Sequence, residues 1–280
     1  MDTTVAYHYP PPAEWQTYQT LVAGFARILY DEHTVEEYGR TGQRQHGVDV
    51  FARDHAGKNI GLQCKWTHES LNEDALRSEC HKAQEFVPAL DYFILWTTAR
   101  RDVHLQDLAH ELDQWGVYPF ALGIRFWDDA IEQLNRMYTV ASTYYAEWLD
   151  EHQLTADHDH RRKLRIAFDR PAFHDPIYLE RDFDDLLQAV RDTLVFLKAG
   201  LLYDRYNRTL IAQALPFSLL SDAKYIEGLA KLVSMLTGLE ALLRRSAAAF
   251  GTPIMTDPRD VEECDRERQR IVSKVSSLLR

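Results

Sequence analysis

The stretch from Val48 to Trp66 constrains the fold more tightly than any other part of the chain. Residues 48–53 and 59–66 read as two strands on either side of the polar turn DHAGK (54–58), the signature of a hairpin. A loop of those five residues centres on Ala56 and sets the register, so that Val48 faces Cys64, Val50 faces Leu62 and Ala52 faces Ile60. All six are apolar, and one face of the ribbon is therefore core. The other face pairs Asp49 with Gln63 and carries Lys65 two residues further on. One register thus sorts the core and gathers a carboxylate, a carboxamide and an ammonium.

Upstream, Pro10, Pro11 and Pro12 halt any earlier element. Trp15, Tyr18, Leu21, Val22, Phe25, Ile28 and Leu29 then recur at helical steps, which predicts an amphipathic helix over 13–31. A polar, glycine-bearing loop, TGQRQHG (41–47), leads into the hairpin. Downstream, Ser70-x-x-Glu73 forms a capping box for a helix carrying Leu76, Cys80, Ala83, Phe86 and Val87, which Pro88 ends. Tyr92–Thr97 is a continuous apolar run, as a buried strand requires. Leu105, Leu108 and Leu112 mark a helix closed by Gly116, 118–127 is another strand, and Asp128 caps a helix through Leu134. This order predicts an α/β domain over 1–150, a mixed sheet flanked by helices. A polar, charged stretch gives a linker over 151–164. Beyond it, over 165–280, the pattern is that of an all-α domain suited to assembly or partner binding. Phe183, Leu186, Leu187, Val190, Leu194, Leu197 and Leu201 form one stripe there, 226–250 is apolar around most of its circumference, and Cys264, Arg268, Ile271, Val275 and Leu278 line a last helix.

Net charge, −11 overall, is unevenly spread: residues 1–150 hold 12 Lys and Arg against 23 Asp and Glu, whereas 151–280 hold 20 of each. An acidic N-terminal half repels phosphate backbones at long range, so a nucleic-acid substrate demands local basic residues, a bound cation or a partner. No apolar run approaches the ~20 residues of a membrane span. The start, MDTTVAYHYPPPAEW, lacks the basic and apolar regions of a signal peptide, and the expectation is a cytoplasmic protein. Cys64, Cys80 and Cys264 lie far apart, which excludes a disulfide framework and a thiolate zinc site. The densest histidine group, His158-Asp159-His160 in TADHDHRRK, reads as solvated linker, with a metal site as the alternative.

Hydrolysis of a phosphodiester needs a charged transition state neutralised and a nucleophile made from water. On the hairpin, Asp49 would hold a divalent cation, Gln63 could add its side-chain carbonyl and the Cys64 backbone carbonyl a third oxygen, with waters completing the shell. Lys65 would orient or deprotonate the attacking water, or stabilise developing charge. The bland alternative is an exposed ribbon face with an ordinary Asp–Lys pair.

GVDVFARDHAGKNIGLQCKW resembles the core of Mrr-like restriction endonucleases in the PD-(D/E)xK superfamily, in the variant where Q-x-K replaces E-x-K. Glu37-Tyr38-Gly39, Gly42-Gln43 and Gln45-x-Gly-Val-Asp-Val look like the lead-in of related nuclease domains from bacterial anti-phage systems, and FILWTTARRDVHLQ and IRFWDDAIEQL echo their later segments. The resemblance spans about 13–140. It implies a restriction-endonuclease-like sheet, Mg2+ or Mn2+ as cofactor, DNA as substrate, and catalytic Asp49, Gln63 and Lys65. Arg40 and Arg44 before the Asp49 strand, and Arg100 and Arg101 after YFILWT, are candidates for phosphate contacts, or plain solvated loop residues. One departure stands out: where the family carries glutamate in W-x-x-F-E, this chain has Gln19, so Gln19 or the earlier Glu14 would have to support the site. The leading expectation is a regulated endonuclease, an effector in anti-phage defence, whose helical half forms a homo-oligomer or docks on a sensor or ATPase subunit. The alternatives are a degenerate nuclease fold kept for nucleic-acid binding or assembly, and a helical adaptor whose C-terminal half is the working part.

Overall fold

A computed structural model describes residues 6–38, 46–175, 180–248 and 258–280. The chain divides into two compact units, Met1–Asn135 and Arg136–Arg280. That boundary precedes the one expected at 150.

In the first unit, helix α1 (Trp15–Leu29) and a 3-10 turn (Glu32–Thr34) precede strands β1 (Glu36–Glu37), β2 (Val50–Arg53) and β3 (Asn59–Lys65). Helix α2 (Glu73–Ala83), strand β4 (Tyr92–Thr97), helix α3 (Val103–Gln114), strand β5 (Ala121–Arg125) and helix α4 (Trp127–Arg136) follow. The five strands form one mixed sheet in sequence order, with β1, β2 and β3 antiparallel and β3, β4 and β5 parallel. Parallel neighbours need crossovers, and α2 and α3 supply them. The β2–β3 register is the expected one, pairing Val50 with Leu62 and Ala52 with Ile60. The ladder begins only at Val50, however, because the chain bends at Asp49, and Val48 joins the cluster of Phe51, Leu76 and Cys80 instead of continuing the Val50 row.

Both sheet faces are covered. Helix α1 packs over β1, β2 and β3, and its Phe25 ring meets Trp96 of β4 at 5.6 Å. On the opposite face Leu76, Cys80 and Ala83 of α2 and Leu105, Leu108 and Leu112 of α3 bury Phe51, Phe93, Leu95, Leu122 and Ile124. Asn72, rather than Ser70, caps α2: its side chain accepts from the Ala75 N–H at 2.9 Å. Asp102 caps α3 in the same way.

Among the described residues the second unit is helical apart from one hairpin. It contains α5 (Tyr138–Tyr144), α6 (Ala146–Glu151), α7 (Ala156–Phe168), α8 (Pro171–His174) and α9 (Glu180–Ala199), then β6 (Leu201–Tyr203) and β7 (Leu210–Gln213). A 3-10 turn (Phe217–Leu219), α10 (Ala223–Ala248) and α11 (Pro258–Leu278) complete it. Leu164, Leu186, Val190, Leu197, Leu229, Leu232, Leu236, Leu243, Ile271 and Val275 share one core. The stretch 151–164 is no linker, since α7 occupies most of it with Asp157, Asp159, His160 and Lys163 buried. These polar groups are tolerated because they pair: Lys163 Nζ donates to Asp159 Oδ2 at 2.8 Å and to the Gln213 carbonyl at 2.7 Å, and His160 Nδ1 meets the Tyr225 hydroxyl at 2.9 Å. Leu201 likewise begins β6 instead of ending the α9 stripe, because Gly200, at φ +76°, stops the helix.

Candidate active site

Asp49, Gln63 and Lys65 lie on the sheet face that α2 covers, at the end where β3 delivers its carboxyl terminus. Asp49 is fixed through its backbone from three sides. Its N–H donates to the Leu62 carbonyl at 2.9 Å, and its carbonyl accepts from the Tyr38 N–H at 2.8 Å and from Gln19 Nε2 at 3.3 Å. Gly47 makes the approach possible. It adopts φ +68°, and a Cβ there would crowd the Lys82 side chain and the Glu79 carbonyl, so the loop before Asp49 is pressed against α2.

The carboxylate is buried and already bonded. Asp49 Oδ2 accepts from Gln63 Nε2 at 2.6 Å and from the Cys64 N–H at 2.8 Å. Burial pushes the Asp49 carboxyl up to about 6; the nearby Glu79 charge adds to this, while the Cys64 N–H and the Lys65 ammonium oppose it.

Lys65 finds its partner on α2. Its Nζ lies 2.7 Å from Glu79 Oε1, and Lys82 Nζ reaches the same oxygen at 2.8 Å. Glu79 is only 4% exposed. Burial alone would raise its carboxyl, but the two ammoniums outweigh that and hold it below the ordinary carboxylate range. No motif in the sequence singles out Glu79. The available signal was a carboxylate three residues after Leu76 and four before Ala83, on the buried stripe of an amphipathic helix.

Oxygen donors for a cation are few. Asp49 Oδ1 and Gln63 Oε1 accept no hydrogen bond among the described residues, and the Cys64 carbonyl lies on the same edge, 3.5 Å from Gln63 Nε2. These are oxygens of the kind Mg2+ or Mn2+ takes with water completing the shell, although only one is anionic and the Gln63 amide turns its Nε2 rather than its Oε1 toward both Asp49 and the Cys64 carbonyl. Among the described residues no group of three or more His, Cys, Asp or Glu side chains converges as a metal site.

The supporting residues separate. Gln19 reaches Asp49, but through its backbone carbonyl rather than its carboxylate. Glu14 stands exposed at the N-cap position of α1 and bonds to none of the site residues. Five residues along a helix turn it roughly 140° away from Gln19, off the buried face.

At the carboxyl ends of β3 and β4 lies an open cleft of about 960 Å³, lined by Trp66, His68, Ser70, Thr98, Arg100 and Arg101 among others. Ligands of open α/β sheets bind at such ends. Arg100 is exposed and makes no ion pair among the described residues. Arg101 is tied to Asp129 at 2.6 Å. Trp66 donates its indole N–H to the Pro12 carbonyl at 2.8 Å and sets its ring edge-on to His68, whereas Trp96 is core. Arg40 and Arg44 lie outside the described residues. No helix among the described residues is long and apolar enough to cross a membrane. Compared with family models, curated proteins and solved structures, the chain matches none.

Proposed function

We propose that this protein is a divalent-metal-dependent endonuclease that hydrolyses DNA phosphodiester bonds, acting in the cytoplasm as a regulated effector. The observation that carries the reading is the convergence of Asp49, Gln63 and Lys65 on one covered sheet face, with Glu79 clamping the lysine; none of the four lines the cleft at the ends of β3 and β4. Asp49 Oδ1, Gln63 Oε1 and the Cys64 carbonyl would hold Mg2+ or Mn2+. When bound, the ion polarises a water and a phosphoryl oxygen. Lys65 acts as the ammonium that meets negative charge developing on the phosphate, and its bond to Glu79 limits the positions it can take. Arg100 contacts a strand phosphate in the cleft. The resemblance to Mrr-like nucleases supports the reading and suggests anti-phage defence as its setting. The acidic N-terminal half argues that a partner, a second copy or a sensor or ATPase subunit on the helical unit, brings the enzyme to its substrate.

Nicking of supercoiled DNA by purified protein with Mn2+ or Mg2+ is the test, run alone and with proteins encoded beside it. Wild type should nick, and Asp49→Ala and Lys65→Ala should not. Equal behaviour of wild type and Asp49→Ala sinks the proposal.

One observation favours a second reading, a degenerate nuclease fold serving as a binding or assembly module. Asp49 Oδ2 is already satisfied by two N–H groups, and the neighbouring side chains at 19 and 63 are neutral amides. Titrating Mn2+ into wild type and Asp49→Asn by calorimetry separates the two, since a scaffold gives no heat that depends on Asp49.

A further inference from the structure

Three guanidiniums line one cavity in the second unit. Arg191 from α9, with Arg205 and Arg208 from the turn between β6 and β7, surrounds an open space of about 410 Å³ together with Asp184, Leu187 and Gln188. That volume falls within the range of about 300–1,000 Å³ typical of small-molecule sites.

The arrangement of counter-charges is the informative part. Arg191 Nε donates to Glu240 Oε1 at 3.1 Å, Arg205 pairs with Asp185, and Arg208 Nη1 donates to Asp192 Oδ1 at 2.8 Å. None of these three carboxylates lines the cavity, and among the described residues its one acidic wall residue is Asp184. A network serving stability alone would interleave its carboxylates between the arginines, because like charges around one space repel. Here each guanidinium is held by a carboxylate that does not itself line the space. Asp192, 3% exposed, is itself held by Arg170 at 2.9 Å and by Gln188 Nε2 at 2.8 Å.

The turn is built to keep its arginines in place. Asp204 Oδ1 accepts from the N–H groups of Tyr206 at 2.8 Å and Asn207 at 3.0 Å, and Asn207 Oδ1 accepts from the Thr209 N–H at 2.9 Å. Arg208 sits at φ +57°, an unfavourable conformation for a residue with a Cβ, and its guanidinium lies 5.3 Å from the Tyr203 ring centroid. Arg205 lies 5.1 Å from the ring centroid of Tyr206. A guanidinium carries five N–H donors. Among the described residues no hydrogen bonds beyond those to Glu240, Asp185 and Asp192 occupy these three.

We infer that this cavity binds a phosphate group carried by a small molecule, a phosphate ester or a di- or triphosphate. Forked guanidiniums match phosphate oxygens in pairs, and the ion pairs restrict these side chains before a ligand arrives.

The test is calorimetric titration of the full chain with inorganic phosphate, pyrophosphate and a nucleoside triphosphate, with sulfate as control. Pyrophosphate should bind saturably and at least tenfold more weakly to Arg191→Gln and Arg205→Gln, while Arg270→Gln, an exposed arginine of α11 outside the cavity, binds as wild type does. Both variants leave tolerable remnants: Glu240 keeps Arg244 at 2.6 Å, and the Asp185 side chain is 30% exposed. Circular dichroism verifies that they fold. Tighter binding of the nucleoside triphosphate than of pyrophosphate identifies a nucleotide source, and equal binding identifies the phosphates alone. Absence of saturable binding by all three probes, equal affinity in the variants, or sulfate binding as well as pyrophosphate overturns the inference.

Discussion

Asp49 works against the stability of the domain that holds it. Unfolded, its carboxyl titrates near 3.8; folded, at about 6. The folded state therefore binds this proton more tightly, and the associated stability is complete below pH 3.8 and is lost as pH rises through about 6. The interval corresponds to about 3 kcal/mol at neutral pH as an order of magnitude. Asp49→Asn removes the charge yet keeps an oxygen for the Cys64 N–H and the Gln63 amide. Urea unfolding in chelator should find the variant more stable than wild type by about 1–3 kcal/mol at pH 7.5 and no more stable at pH 4; an equal difference at both pH values refutes this account. Glu79 makes the complementary case. Glu79→Gln leaves Lys65 and Lys82 without their carboxylate and should cost about 1–2 kcal/mol, given that Lys82 is half exposed. Under the nuclease reading it should also slow DNA nicking at least tenfold, whereas Lys82→Gln slows it less than threefold. Mn2+ binding heat that vanishes in Glu79→Gln would instead make Glu79 a metal ligand. The Asp49–Gln63 pair was legible in the sequence because both residues belong to one ribbon whose turn length sets the register. Glu79 was not, because its approach to Lys65 depends on where α2 lands on the sheet, and no local spacing encodes that.

Helices and strands were legible wherever a single period ran unbroken, as in α1, β4 and α3. They were lost where two elements abut without a polar break. The apolar residues of α9 continue through Leu201 and Leu202 into β6, so the stripe overshoots the helix and hides the hairpin. Gly200 is the hinge of that change. It adopts φ +76°, and its carbonyl accepts from the Ala214 N–H at 2.8 Å. A Cβ at this position would collide with the Ala214 carbonyl oxygen, a backbone atom that cannot swing aside. Gly200→Ala should therefore cost about 3 kcal/mol, well beyond the ~1 kcal/mol expected from positive φ alone. Thermal unfolding followed by circular dichroism measures it, and a melting temperature within a degree of wild type would show that the α9–β6 corner relaxes freely. The same reasoning explains α7: its polar residues look like linker because composition records polarity and not pairing, and pairing is what lets Asp159 and Lys163 be buried together.

At the scale of the molecule, the composition shift near residue 150 misplaces the boundary, and hydrogen bonding shows why. Asn135 exchanges bonds with the Tyr7 backbone, Tyr7 N–H to Oδ1 at 2.9 Å and Nδ2 to the Tyr7 carbonyl at 2.8 Å, and so belongs to the first unit. Its neighbour Arg136 donates to the Leu210 carbonyl, and Thr139 donates through both its N–H and its hydroxyl to Gln213 Oε1 at 3.0 Å. Gln213 is buried, and its own carbonyl takes the Lys163 ammonium at 2.7 Å. A fragment of residues 136–280 retains every one of these partners. One that starts at 165, where the helical pattern seemed to begin, loses Leu164 from the core and strands Gln213 Oε1 and the Gln213 carbonyl, while Nε2 keeps the Ala214 carbonyl. Deleting a buried leucine costs about 2–5 kcal/mol, and each stranded polar group about 1–3 kcal/mol more. Against a typical domain stability of about 5–15 kcal/mol, that loss is enough to unfold the fragment. Residues 136–280 should accordingly melt in one cooperative transition by circular dichroism, while 165–280 shows none. If the shorter fragment melts cooperatively at the same temperature, then α5, α6 and α7 are accessories, and the core of the second unit closes without them.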